Sequence, residues 1–132
     1  MPHYNVKYKD KSIQGNLRPR NNTLEAPRVS FTKSQTDFST LLIWDPDAPA
    51  KSWIHWFVVN IPGTAIQSGQ ELLNYEPPNP PSGIHRYFVT LYTQPGRINV
   101  SAPEYRGNFD VSAFEQTYGL TKFGEKMVKV SA

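Results

Sequence analysis

The chain has 132 residues and a mass of 15.0 kDa, a length that suits one domain spanning 1–132, able to bury roughly two-thirds of its unfolded surface. Mean hydropathy is -0.54, but 13% of residues are aromatic and only 19% are charged, which excludes a charge-rich disordered chain. The lack of cysteine removes disulfides, thiol nucleophiles and thiolate metal sites, and the net charge of +3 is too small to imply nucleic-acid binding.

Hydrophobic runs are short, β-branched or aromatic, and broken by Pro, Gly, Asn and Asp, which is the pattern of a mainly β, antiparallel domain. Strands are expected over residues 5–9, 28–32, 40–44, 54–61, 86–93 and 125–130, with a weak one near 12–16. Lys7, Lys9 and Lys11 would then share one strand face, as a solvated edge that discourages aggregation or as an attraction for anionic headgroups. One helix is expected over 111–118, capped by Asp110 or Ser112, with Glu115 completing a capping box and Gly119 ending it. Its apolar residues Val111, Phe114 and Tyr118 fall on one face. Two irregular stretches stand out, 45–53 and the proline-rich 62–84. Proline stiffness makes the second a preformed wall. The N-terminus lacks an apolar leader and no run approaches a membrane span, so a cytoplasmic protein is expected.

Asp45 and Asp47 flank Pro46, which narrows the geometry of both carboxylates. If the strands on either side of 45–53 pair antiparallel, Asp45 comes within reach of His55. The plainer alternative is that both aspartates cap turns through Asx-type bonds, and that His55, alternating with Phe57, Val59 and Ile61, is a core-edge histidine. His85 and Tyr87 open the next strand on a shared face. Together these five side chains suit a pocket for a phosphate or carboxylate head, with the aspartates orienting the donors. Read as oxygen and nitrogen ligands, they also suit a metal. Trp44, Trp53, Trp56, Phe57, Tyr87, Phe88 and Tyr92 are chiefly core residues, with Trp53 and Tyr87 placed to line a pocket.

The segment Asp45-Pro46-Asp47-Ala48-Pro49, the run from His55 to Gly63 and the motif Gly83-Ile84-His85-Arg86-Tyr87 resemble the phosphatidylethanolamine-binding protein family, which includes the Raf kinase inhibitor proteins and the plant flowering-time regulators. Arg106-Gly107-Asn108-Phe109, leading into the helix, matches a further family segment, and the likeness covers roughly 100 residues. The resemblance implies two antiparallel β-sheets, one short helix and a small anion-binding cavity at one sheet end. It places Asp45, Asp47, His55, His85 and Tyr87 in that cavity, with Pro78 and Asn79 on its proline-rich wall, and calls for no cofactor and no metal. Two departures are visible: the loop between Pro49 and His55 is short, and Pro77 stands where the family has a glycine.

What the resemblance implies for function is a non-enzymatic module. It would bind a small anion or phospholipid headgroup, touch membranes at most peripherally, act as a monomer or weak dimer, and modulate a protein partner such as a kinase or other signalling protein. The alternative from another class is a metal- or base-assisted hydrolase of a phospho- or ester substrate using the same Asp and His residues. No nucleophile motif supports it.

Overall fold

The computed structural model describes residues 3–32 and 36–132. Its strands are β1 (Tyr4–Tyr8), β2 (Lys11–Ser12), β3 (Leu17–Arg18), β4 (Arg28–Phe31), β5 (Phe38–Asp45), β6 (Trp53–Pro62), β7 (Gln70–Leu73), β8 (Ile84–Thr93) and β9 (Thr121–Ser131), with the helix α1 (Val111–Tyr118) before the last. They form a three-stranded sheet, β2-β1-β4, and a six-stranded sheet, β3-β9-β8-β5-β6-β7. Pairing is antiparallel except for the two-residue parallel contact of β3 with β9. The expected fold of two sheets and one helix is the fold observed.

Alternation along the central strands decides which side chains meet. Tyr87, Val89 and Leu91 of β8 join Leu41, Ile43, Val128 and Val130 on the face turned to the small sheet, where Val6, Tyr8 and Phe31 meet them. Leu42, Ile54, Phe57, Val59 and Tyr92 project from the opposite face onto Phe114 of α1. Each such aliphatic or aromatic side chain contributes on the order of 1.5–3 kcal/mol by leaving water. The helix follows its sequence signals: Asp110 caps it by accepting from the Ala113 N–H at 2.9 Å, and Gly119 ends it at φ 63°. Glu115 does not close a capping box. Its carboxylate accepts the Tyr92 hydroxyl at 2.6 Å, tying α1 to the sheet.

Other expectations change. Lys9 and Asp10 both take positive φ in a tight hairpin turn between β1 and β2, so Lys7, Lys9 and Lys11 do not form a stripe, and β1 is a central strand. The stretch 62–84 is not structureless: Ile66–Ser68 forms a 3-10 turn and Gln70–Leu73 pairs with β6 as an outer strand. The weak strand near 12–16 is replaced by β2 and β3.

Candidate functional site

β5 ends, and β6 and β8 begin, at the same edge of the large sheet. A cavity of about 600 Å³ opens there, lined by Asp45, Trp53, His55, His85 and Tyr87, by the proline wall 76–81 including Pro78 and Asn79, by Ala48, Pro49 and Ala50 of the 45–53 loop, and by Arg20 and Leu24. Of the expected site residues, six line it and Asp47 does not.

Asp45 is 2% exposed, and besides interacting with the Tyr87 hydroxyl its carboxylate makes two further hydrogen bonds. Its Oδ1 accepts the Asp47 N–H at 2.7 Å, the Asx-type turn, while its Oδ2 accepts from His85 Nδ1 at 2.7 Å. The aspartate–histidine pair at this sheet end is therefore Asp45 with His85, not Asp45 with His55. Since a carboxylate only accepts, His85 carries its proton on Nδ1, and Nε2 is left for a ligand. Asp47 turns the other way: its carboxylate grips Arg86 through two side-chain bonds and the Arg86 N–H, each at 2.9 Å. These bonds hold the Asp47 carboxyl down at about 2. Its task is to fasten the loop to β8.

His55 reaches the cavity through an irregularity that simple alternation misses. Ile43 of β5 pairs with Trp56 and Trp44 pairs with Ile54, so His55 is the extra residue of a β-bulge. The bulge separates it from Phe57 and Val59, which pack beneath α1, and turns it to the side of Tyr87, with ring centroids 5.0 Å apart. Its neighbours satisfy the disturbed backbone. The Glu76 N–H donates to the His55 carbonyl at 2.8 Å, and Arg106 Nη1 donates to the Ile54 and His55 carbonyls at 3.1 and 3.4 Å. His55 Nδ1 donates to the Glu76 carbonyl at 2.7 Å, which fixes the tautomer. Burial lowers the His55 pKa below its ordinary 6.5, with the Arg106 charge adding to the effect against the raising influence of the Glu76 carbonyl and Asp45. Near neutral pH its Nε2 is thus an acceptor.

Tyr87, 1% exposed, stacks near His85 at 6.4 Å. Burial, followed by the charge of the Asp45 carboxylate and a hydrogen bond to it, raises its pKa far above the ordinary phenol value, so the hydroxyl keeps its proton and is oriented by Asp45. Trp53 closes the side, 4.8 Å from the His55 ring and with the Arg106 guanidinium 5.5 Å from its own ring centroid. Among the described residues no group of three His, Asp or Glu is placed to hold a metal ion. With Asp47 committed to Arg86, the oxygen-rich ligand set a metal would need is not assembled.

Sequence reasoning missed Arg20 and Leu24, which arrive from the N-terminal segment, and the clamping role of Arg106. The Arg106 motif was the one available signal.

A family model described as phosphatidylethanolamine-binding protein matches residues 8–130. The chain belongs to that family. It is 43% identical over 108 residues to the protein BROTHER of FT and TFL 1 of Arabidopsis thaliana, covering 75% of this chain and 61% of that protein. It is 36% identical over 124 residues to Arabidopsis FLOWERING LOCUS T, covering 87% and 71%. The chain thus spans less than two-thirds of the first of these relatives. Among solved structures, the carboxypeptidase Y inhibitor in complex with its cognate proteinase superposes with a TM-score of 0.84 at 18% identity, covering 98% of this chain and 82% of that one. The E. coli YbcL structure, described as a member of the mammalian PEBP family, gives 0.67 at 18% identity and 98% coverage of both. These structural likenesses establish the fold.

Proposed function

We propose that this PEBP-family protein is a binding module whose sheet-end cavity takes a small phosphate-bearing anion and whose rim engages a protein partner, without turning the ligand over. The observation that carries the reading is the fixed orientation of three polar groups in one cavity. Asp45 holds His85 with Nε2 left over, the Glu76 carbonyl holds His55 in the same way, and Tyr87 keeps its hydroxyl proton. A neutral His55 accepts from a ligand hydroxyl or from a protonated phosphate, and a protonated one donates to an oxyanion. Groups held in place before the ligand arrives lose little entropy on binding it. The name of the carboxypeptidase Y inhibitor and the flowering-regulator relatives support a protein partner as the second element of the reading.

The test is a titration of the full chain with inorganic phosphate, following the ring resonances of His55 and His85 by NMR. Saturable shifts confined to those rings are expected, and His55→Ala should remove them while the protein stays folded. Undiminished phosphate binding by His55→Ala would withdraw the cavity from the proposal.

A further inference from the structure

The polar groups of the cavity raise a question of charge. Asp45 brings a buried negative charge, Glu76 another on the wall, and His55 is held toward neutrality. Asp45 is committed to His85, and Glu76 lies 3.6 Å from Arg106. Arg106 and Arg86, the nearby cations, are occupied: Arg106 by backbone carbonyls, Asn74 and Glu76, Arg86 by Asp47. Neither lines the cavity. Arg20 does line it, and its guanidinium has no hydrogen-bond or ion-pair partner among the described residues. It lies near enough to Tyr87 to favour the phenolate form.

The backbone that carries Arg20 is fixed on both sides. Before it, Arg18 is 6% exposed and donates to the carbonyls of Tyr8, Lys11 and Ser12, while Leu17 and Arg18 pair with β9. After it, Thr23 is fully buried, and its carbonyl accepts the Tyr75 hydroxyl at 2.7 Å. The hydroxyls of Tyr75 and Tyr8 are 2.8 Å apart. Because Tyr75 gives its proton to Thr23, Tyr8 is the donor between them. A short 3-10 turn, Arg20–Asn22, spans these two anchors and presents a long cationic side chain at the cavity.

We propose that Arg20 is the permanent cation of this site and that it selects a phosphomonoester dianion, its guanidinium pairing with two terminal oxygens beside the Tyr87 hydroxyl. The inference rests on the anion-binding reading above. A planar guanidinium suits a terminal phosphate, which offers two oxygens in one plane. Leu24, 60% exposed beside it, and Trp53 offer apolar surface to the organic part of the ester. That ester is either a soluble phosphometabolite or a lipid with a terminal phosphate.

The experiment compares wild type, Arg20→Gln and Arg20→Lys by calorimetric titration with inorganic phosphate at pH 8, where the dianion dominates. Arg20→Gln should weaken binding about tenfold or more, Arg20→Lys should recover part of the loss, and the dependence of affinity on NaCl should flatten in Arg20→Gln. Equal affinity in wild type and Arg20→Gln, with wild type binding saturably, overturns the role of Arg20 and leaves the cavity reading standing. No saturable binding by wild type overturns both. Loss of the same size in Arg20→Lys and Arg20→Gln overturns a charge role. Sedimentation with phosphatidylcholine vesicles containing phosphatidic acid separates the two sources. Co-sedimentation abolished by Arg20→Gln supports Arg20 acting on a lipid phosphate, and co-sedimentation that survives Arg20→Gln overturns that action.

Discussion

The Asp45 carboxylate and the His85 imidazole form a buried pair, Oδ2 to Nδ1 at 2.7 Å, which joins the end of β5 to the start of β8. The same carboxylate accepts from the Asp47 backbone, so one side chain sets both a ring tautomer and a loop. Asp45→Asn keeps the shape but removes the charge and introduces an NH₂ group where an acceptor is needed. It should cost about 1–3 kcal/mol, read as a lower urea midpoint, and should release the His85 tautomer, read from the ¹⁵N shifts of the ring. A variant matching wild type on both measurements would show that the pair carries no weight.

His55 links ligand binding and folding to pH with opposite signs. Its folded pKa is lowered from 6.5, so the stability that comes from a neutral ring is fully present above 6.5 and is lost as pH falls through the folded value. Unfolding free energy should therefore decline between pH 7 and 5, and more shallowly in His55→Gln. Over the same interval the imidazolium gains a donor for an oxyanion. Sulfate, whose charge is constant there, should bind wild type more tightly at pH 5 than at pH 7, a change that His55→Gln abolishes.

Asp47 provides a contrast. Its carboxyl is held at about 2, chiefly by the hydrogen bonds from Arg86, so the pair contributes above the ordinary carboxyl value of 3.8 and fades as pH falls toward 2. The pair is partly exposed, and Asp47→Ala should cost at most about 1 kcal/mol at pH 6. The difference from wild type should close by pH 2. Because this carboxylate faces Arg86, phosphate affinity should stay within about twofold of wild type. A loss as large as that of His55→Ala would return Asp47 to the ligand set.

Gly124 of β9, in the large sheet, lies directly against Tyr4 of β1 in the small one. A Cβ there would run into the ring of Tyr4, whose hydroxyl donates to the Val89 carbonyl at 2.7 Å. Gly124→Ala must displace that ring and should lower stability by about 1–3 kcal/mol. Adding Tyr4→Ala to it should cost less than Tyr4→Ala costs alone in wild type, a coupling that a set of four thermal melts measures.

Local signals were legible where local physics decides. Asp110 and Gly119 mark the ends of α1 because capping and left-handed backbone are properties of single residues. Tyr87, Val89 and Leu91 mark the inner face of β8 because period two survives there without interruption. The Asp45, His55, His85 and Tyr87 constellation was readable as a motif, but its pairing was not: strict alternation puts His55 beside Phe57, and only the register of β6 against β5 reveals the extra residue. Strand β7 escaped because Gln70-Glu71-Leu72-Leu73 contains no β-branched residue and forms by pairing with β6. Arg20 escaped for a related reason, since its position follows from contacts distant in sequence, Arg18 with the β1–β2 hairpin and Thr23 with Tyr75.

The bulge at His55 has an evolutionary corollary. A site residue that is supernumerary to its ladder can be removed by an in-frame deletion of one codon, after which Ile54 and Trp56 become successive partners of Trp44 and Ile43 and the sheet loses no rung. The residues ahead of the deletion keep their partners and therefore their faces, so Trp53 stays opposite Asp45 and only the imidazole is lost. A lineage can thus discard this imidazole in one step while keeping a folded scaffold.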